Sequence, residues 1–180
     1  MALLRLAFAA WLLSIASAAA AAAPSEYQVK AVFLFNFSQF VEWPPQSLGS
    51  ADAPFVICLV GKDNFGADLD AAVRTETVQG RPLVIKRSAD AAPPPGPCHM
   101  LFIDNSAGAH LGGILTELNG RPVLTVSDIG RSAQQGAIIE FVSDKNRLRL
   151  RINVAAAKAA GLTISSKLLR PAEIVGDTLG

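Results

Sequence analysis

Four oxygen-bearing side chains stand within three residues of the ends of apolar runs. Asp63 follows FVICLV (residues 55–60), Asp104 follows HMLFI (99–103), and Ser127 and Asp128 follow VLTV (123–126). Runs without alternation read as strands buried on both faces of a parallel sheet. In such a sheet the strand ends share one edge, where open α/β folds bind ligands. An acidic edge there could hold a divalent cation through oxygen. It could also take a small ligand or a phosphoryl group, in the layout of a receiver domain. The lysine that a receiver carries after a fifth strand is missing. Asp, Asn and Ser serve equally as turn and cap residues.

Other candidate chemistry is thinner. GKDNFG (61–66) lacks the Gly-Lys-Ser/Thr ending of a phosphate loop. His99 and His110 have no partners at ligand spacing, so no metal is expected. His99 stands beside Cys98, but strand neighbours point to opposite faces, which argues against a thiol–base pair. No G-x-S-x-G turn supports a hydrolase. No catalytic residue and no cofactor are expected. Arg147, Arg149 and Arg151 form a row that could meet an acidic partner, or simply be the solvated face of a strand.

The elements that position these residues alternate. After FVICLV comes a helix with Phe65, Leu69, Ala72 and Val73 inward, then a strand over 83–86. A proline-rich loop precedes the 99–103 strand. A glycine-weakened helix carries Leu111, Ile114, Leu115 and Leu118, and the 123–126 strand follows. Strands and helices at this pace imply βαβ units. The tail differs. Strands over 137–142 and 148–153 are joined by a hairpin-like turn at 143–146, and Asn153 can cap a short alanine-rich helix. Leu162, Ile164, Leu168, Leu169, Ile174 and Val175 are expected to close the core. The fold class is therefore α/β, with a mostly parallel central sheet, helices on both faces and a C-terminal antiparallel hairpin.

Residues 1–23 read as a cleaved secretory signal: Arg5, an apolar run and an alanine tract. Residues 24–180 make one domain. Without Arg5 the sixteen basic residues become fifteen, equal to the fifteen acidic ones. That balance disfavours nucleic acid. Export favours a disulfide between Cys58 and Cys98, the only two cysteines, with two buried thiols as the alternative.

The most patterned stretch is 27–45. At 100° per residue Val29, Val32, Phe33, Phe37 and Phe40 share a stripe, expected to face the core. Asn36 interrupts it. Leu34, Phe35 and Val41 fall outside it, so either the protein covers the helix on two sides or one side, with Leu34 and Phe35 near solvent, waits for a partner.

YQVKAVFLFNFSQFVEWP, the FVICLVGKDNFG turn, CHMLFID, LTVSDI, RLRINVAAAKAAGLTISSKLL and the closing AEIV together resemble the YfiR/HmsC family of exported regulators. The resemblance runs through nearly the whole chain after the signal. It implies a periplasmic protein that binds the periplasmic domain of a membrane-bound diguanylate cyclase and represses it. Release would raise cyclic di-GMP and promote biofilm formation. It further implies a homodimer, and an outer-membrane lipoprotein that sequesters the repressor. Cys58 and Cys98 match one cysteine pair of the family. A second pair, in the region of residues 133–140, is absent here.

Overall fold

The computed structural model describes residues 23–90, 92–145 and 147–176. The expected signal up to residue 22, and Asn146 of the expected hairpin turn, lie outside them. Helix α1 spans Glu26–Phe40 and runs into β1 (Val41–Glu42). Next come β2 (Phe55–Val60), α2 (Ala67–Val73), β3 (Thr77–Val78), β4 (Arg81–Ser88) and β5 (Met100–Ile103). They are followed by α3 (Leu111–Glu117), β6 (Leu124–Ser127), β7 (Ile139–Asp144) and β8 (Arg147–Asn153). The chain closes with α4 (Val154–Ala159), β9 (Thr163–Ile164), α5 (Ser166–Leu169) and β10 (Glu173–Val175).

The expected α/β architecture is present. An eight-stranded sheet has the order β10-β8-β7-β6-β5-β2-β4-β3. Its centre, β4-β2-β5-β6-β7, is parallel, and β8 returns antiparallel to β7. A separate two-stranded sheet pairs β1 with β9. β2 shows why its sequence does not alternate. Phe55, Ile57 and Leu59 enter one core beneath α1 and α2, while Val56, Cys58 and Val60 enter a second core beneath α3. Both faces of the strand are dry, so every position is apolar. Cys58 bonds Cys98 across the second face, with 5.8 Å between their Cα atoms. Asn153 caps α4 as its type suggests, accepting from the Ala156 N–H at 2.8 Å.

The first helix corrects the sequence reading. Its buried residues are Lys30, Ala31, Leu34, Phe37 and Ser38. Leu34, expected outside the core stripe, is fully buried, whereas Val32, expected inside it, is 53% exposed. The helix is rolled by roughly 120° from the orientation its largest side chains suggest. The reason is polar: this roll brings Lys30 and Tyr27 to carboxylates at the strand ends. Phe33 and Phe35 are half-buried and pack at the margin of the core. In the tail, Ile174 was expected to close the core and is instead 39% exposed, on edge strand β10.

Candidate functional site

The strand-end edge does gather acids, and α1 fills it. The N-terminus of α1 is set by a capping box: the Ser25 hydroxyl accepts from the Gln28 N–H, and the Gln28 side-chain Oε1 accepts from the Ser25 N–H. This fixes the first turn over the ends of β5 and β6. Tyr27 Oη donates toward Asp128 Oδ2 at 2.9 Å and lies 3.3 Å from Asp104 Oδ2. Asn64 Nδ2, from the loop after β2, donates to Asp104 Oδ2 at 2.9 Å and to Tyr27 Oη at 3.2 Å. Lys30 Nζ reaches Asp128 at 2.8 Å and Glu26 at 2.7 Å. The ammonium also lies 4.3 Å from the centre of the Tyr27 ring, a cation–π distance.

The remaining oxygens of the two aspartates are used as well. Asp104 Oδ1 accepts from the Ser106 N–H and Asp128 Oδ1 from the Asn105 N–H, both at 2.9 Å. Burial, with Asp128 and Asp104 beside it, pushes the Tyr27 hydroxyl well above the ordinary tyrosine value, so it stays a donor. A cavity of about 460 Å³ opens alongside, lined by Glu26, Tyr27, Lys30, Asp128, Glu140 and Phe141. The chain's own lysine is thus the cation of the acidic edge. Among the described residues, no cluster of three or more His, Cys, Asp or Glu is placed to hold a metal.

Not every predicted residue joins this group. Asp63 turns away. Its Oδ1 caps the next turn by accepting from the Phe65 and Gly66 N–H groups, and its Oδ2 meets Arg87 at 2.6 Å. The loop before it passes close to Ser106: a Cβ on Gly61, whose φ is +94°, would stand 2.7 Å from the Ser106 hydroxyl. The Ser127 hydroxyl is buried and spent locally, donating to the Ile103 carbonyl and accepting from the Ile129 N–H. His99 is a core residue. Its Nδ1 accepts from the Val56 N–H at 2.9 Å, its Nε2 lies 3.2 Å from the Ser47 carbonyl, and its ring stacks on Phe55.

The arginine row divides. Arg151 is bound between Glu140 and Glu173, while Arg147 and Arg149 are exposed. Leu148, Leu150 and Ile152 pack into the α1 core, so the arginines point from the opposite face of the sheet. Phe35 and the arginines therefore do not form one patch.

Tyr27 and Lys30 are the site residues that sequence reasoning missed. The signal was a lysine directly before the apolar run AVFLF, three residues after the chain's one tyrosine. The acids were visible; their partner was sought after a fifth strand and stands instead before the first strand of the large sheet.

Fold and edge together define an open-sheet α/β domain whose strand-end crevice is closed by its own leading helix. A family model described as YfiR/HmsC-like matches residues 27–173, and the chain belongs to that family. The family is a regulatory and periplasmic one, consistent with control of diguanylate cyclases, and the Cys58–Cys98 bridge fits an oxidising compartment. No curated protein matches the chain. Among solved structures, a conserved domain protein from Vibrio cholerae is similar, with TM-score 0.54 and 12% identity. The match covers 83% of this chain and 60% of that one, and it bears on the fold alone.

Proposed function

We propose that this protein is an exported repressor that binds the periplasmic domain of a membrane-bound diguanylate cyclase, lowering cyclic di-GMP and restraining biofilm formation. The observation that supports this reading is the outer face of α1. Val29, Val32 and Asn36 make an uncharged stripe on the outer side of the helix, with Val32 mostly wet and half-buried Phe40 packed at the margin of the core. Scattered surface valines are ordinary, but an uncharged helix face turned partly outward can dock in a partner's groove. Half-buried Phe35 flanks it. Arg147 and Arg149, on the other face, are exposed, Arg149 with a loose 3.7 Å pair to Asp144, and could meet an acidic surface such as an outer-membrane lipoprotein that sequesters the repressor.

The test uses cells lacking the chain, complemented with wild type or Val32→Glu. Wild type should lower cyclic di-GMP and bring a cyclase out of solubilised membranes. Val32→Glu should fold, reach the periplasm and do neither. Full repression by Val32→Glu, or a wild-type pull-down without a cyclase, would sink the proposal. Leu34→Glu, in the dry core, should fail to fold and so marks the difference between a surface and a core defect.

A further inference from the structure

His99 stands directly before β5, buried against the connection from β1 to β2, residues 43–54. Its partners dictate its protonation. A backbone N–H can only donate, and that of Val56 donates to Nδ1 at 2.9 Å, so Nδ1 carries no proton. Nε2 therefore carries it, and donates to the Ser47 carbonyl at 3.2 Å. The ring is neutral with both nitrogens in use. The connection holds to the same place by other contacts. Trp43 Nε1 donates to the His99 carbonyl at 3.0 Å, the Trp43 ring meets Phe55 edge-on, and Phe55 stacks on the imidazole. Trp43 and Leu48 are buried there.

A second proton, on Nδ1, would face the Val56 N–H donor to donor. The surroundings do not compensate. Phe55 and Val56 of β2 and Leu124 of β6 are uncharged. Arg81 of β4 is a like charge, with its Nε buried and unpartnered and its Nη2 3.5 Å from the Gly49 carbonyl. Lys158 of α4 lines a cavity of about 410 Å³ outside Ser47. Glu42 on β1 and Asp52 in the connection are exposed, and neither pairs with the ring. The two sides of the ring also differ in how they can yield. Val56 belongs to β2, which is paired with β4 on one side and β5 on the other. Ser47 belongs to a single 3₁₀ turn, Pro45–Leu48, between Pro44 and Gly49. A carbonyl such as that of Ser47 holds a charged ring more tightly than a neutral one.

We propose that residues 43–54 form an acid-operated latch: when His99 takes a second proton from water, the ring leaves Val56, keeps Ser47 and moves outward with the connection, while the sheet stays folded. Trp43 then loses the His99 carbonyl and becomes wet, and the link between α1 and the sheet loosens. The closed form resists the proton and the open form accepts it. Opening is therefore absent above about pH 7 and grows below about pH 6.5, by at most about tenfold per pH unit for one proton.

This inference does not rest on the cyclase reading. Trp11 lies in the expected signal, so Trp43 is the single tryptophan of the exported chain and reports on the latch by itself. The experiment follows Trp43 emission and far-UV circular dichroism of that chain from pH 8 to 5. Emission should shift to the red with a midpoint below about pH 6.5, while the circular dichroism holds. His99→Gln, whose amide can accept from Val56 and donate to Ser47 at any pH, should abolish the shift. Arg81→Gln, which removes the neighbouring cation, should move the midpoint to higher pH, and it decides the matter if His99→Gln does not fold. Emission that stays flat to pH 5 overturns the proposal. So does a red shift that coincides with loss of circular dichroism, a folded His99→Gln variant that shifts like wild type, or an Arg81→Gln midpoint that does not move.

Discussion

Lys30 and Arg87 each bridge two carboxylates at nearly the same distances, in very different surroundings. Lys30 lies 2.7 Å from Glu26 and 2.8 Å from Asp128, with its side chain 3% exposed. Arg87 lies 2.6 Å from both Asp63 and Asp70, with its side chain 33% exposed. Distance alone would rank the arginine pairs higher. Burial reverses the ranking. Water can replace Arg87 as a partner of Asp63 and Asp70, whereas Asp128 under α1 has little water to turn to. The same two-carboxylate geometry is therefore a surface tie in one region and an anchor in the other.

The sharpest test of that contrast is Lys30→Met. It should destabilise the domain by roughly 3–5 kcal/mol, because it leaves a buried carboxylate without its cation. Urea melts read this directly, and adding Asp128→Asn should recover part of the loss. A Lys30→Met variant as stable as wild type would remove the anchor from the account. The disulfide gives a covalent scale for comparison. It closes a separation of 40 residues, for which the chain-entropy model gives about 4 kcal/mol. Paired Cys58→Ser/Cys98→Ser substitution should cost about 2–4 kcal/mol in the same melts.

His99 is a third case, a buried base with no carboxylate to hold its charge. Burial lowers its pKa, and nearby Arg81 adds to the effect, while the bond to the Ser47 carbonyl opposes it. The unfolded chain then binds a proton that the native chain resists. Stability should be flat above about pH 7 and fall as pH drops below about 6.5, no more steeply than about 1.4 kcal/mol per pH unit. Thermal melts from pH 8 to 5 would show it, and His99→Gln should flatten that window. The smallest effect belongs to Arg87→Ala, expected below about 1 kcal/mol. A loss near that of Lys30→Met would mean that burial does not separate the two regions.

The parallel sheet was legible in the sequence because its strands are dry on both faces. FVICLV and the two runs ending at Asp104 and Ser127 have no other reading at that length. The turn chemistry of Asp63 and the cap at Asn153 were legible for the same kind of local reason. The orientation of α1 was not. The helix is apolar nearly all round, so periodicity alone chose the side with the larger side chains. What decides the roll is a pair of carboxylates far along the chain, which no window of the helix contains. The short strands β1, β3, β9 and β10 were missed because two or three residues carry no period. Their pairing depends on neighbours brought together by the fold.

The reach of the Lys30–Asp128 bond has a consequence for the order in which the chain can become itself. The two residues are 98 positions apart, and Tyr27 stands 101 positions from Asp128. α1 is the first described element to be made, yet its anchors and the Phe141 ring against Phe37 come from β5, β6 and β7. Contacts of such separation form late, after the loop-closure entropy of the whole intervening chain has been overcome. Until then both apolar sides of α1 are uncovered. A nascent chain in that state is open to aggregation, and the helix that completes the fold is also the segment most in need of protection before it does.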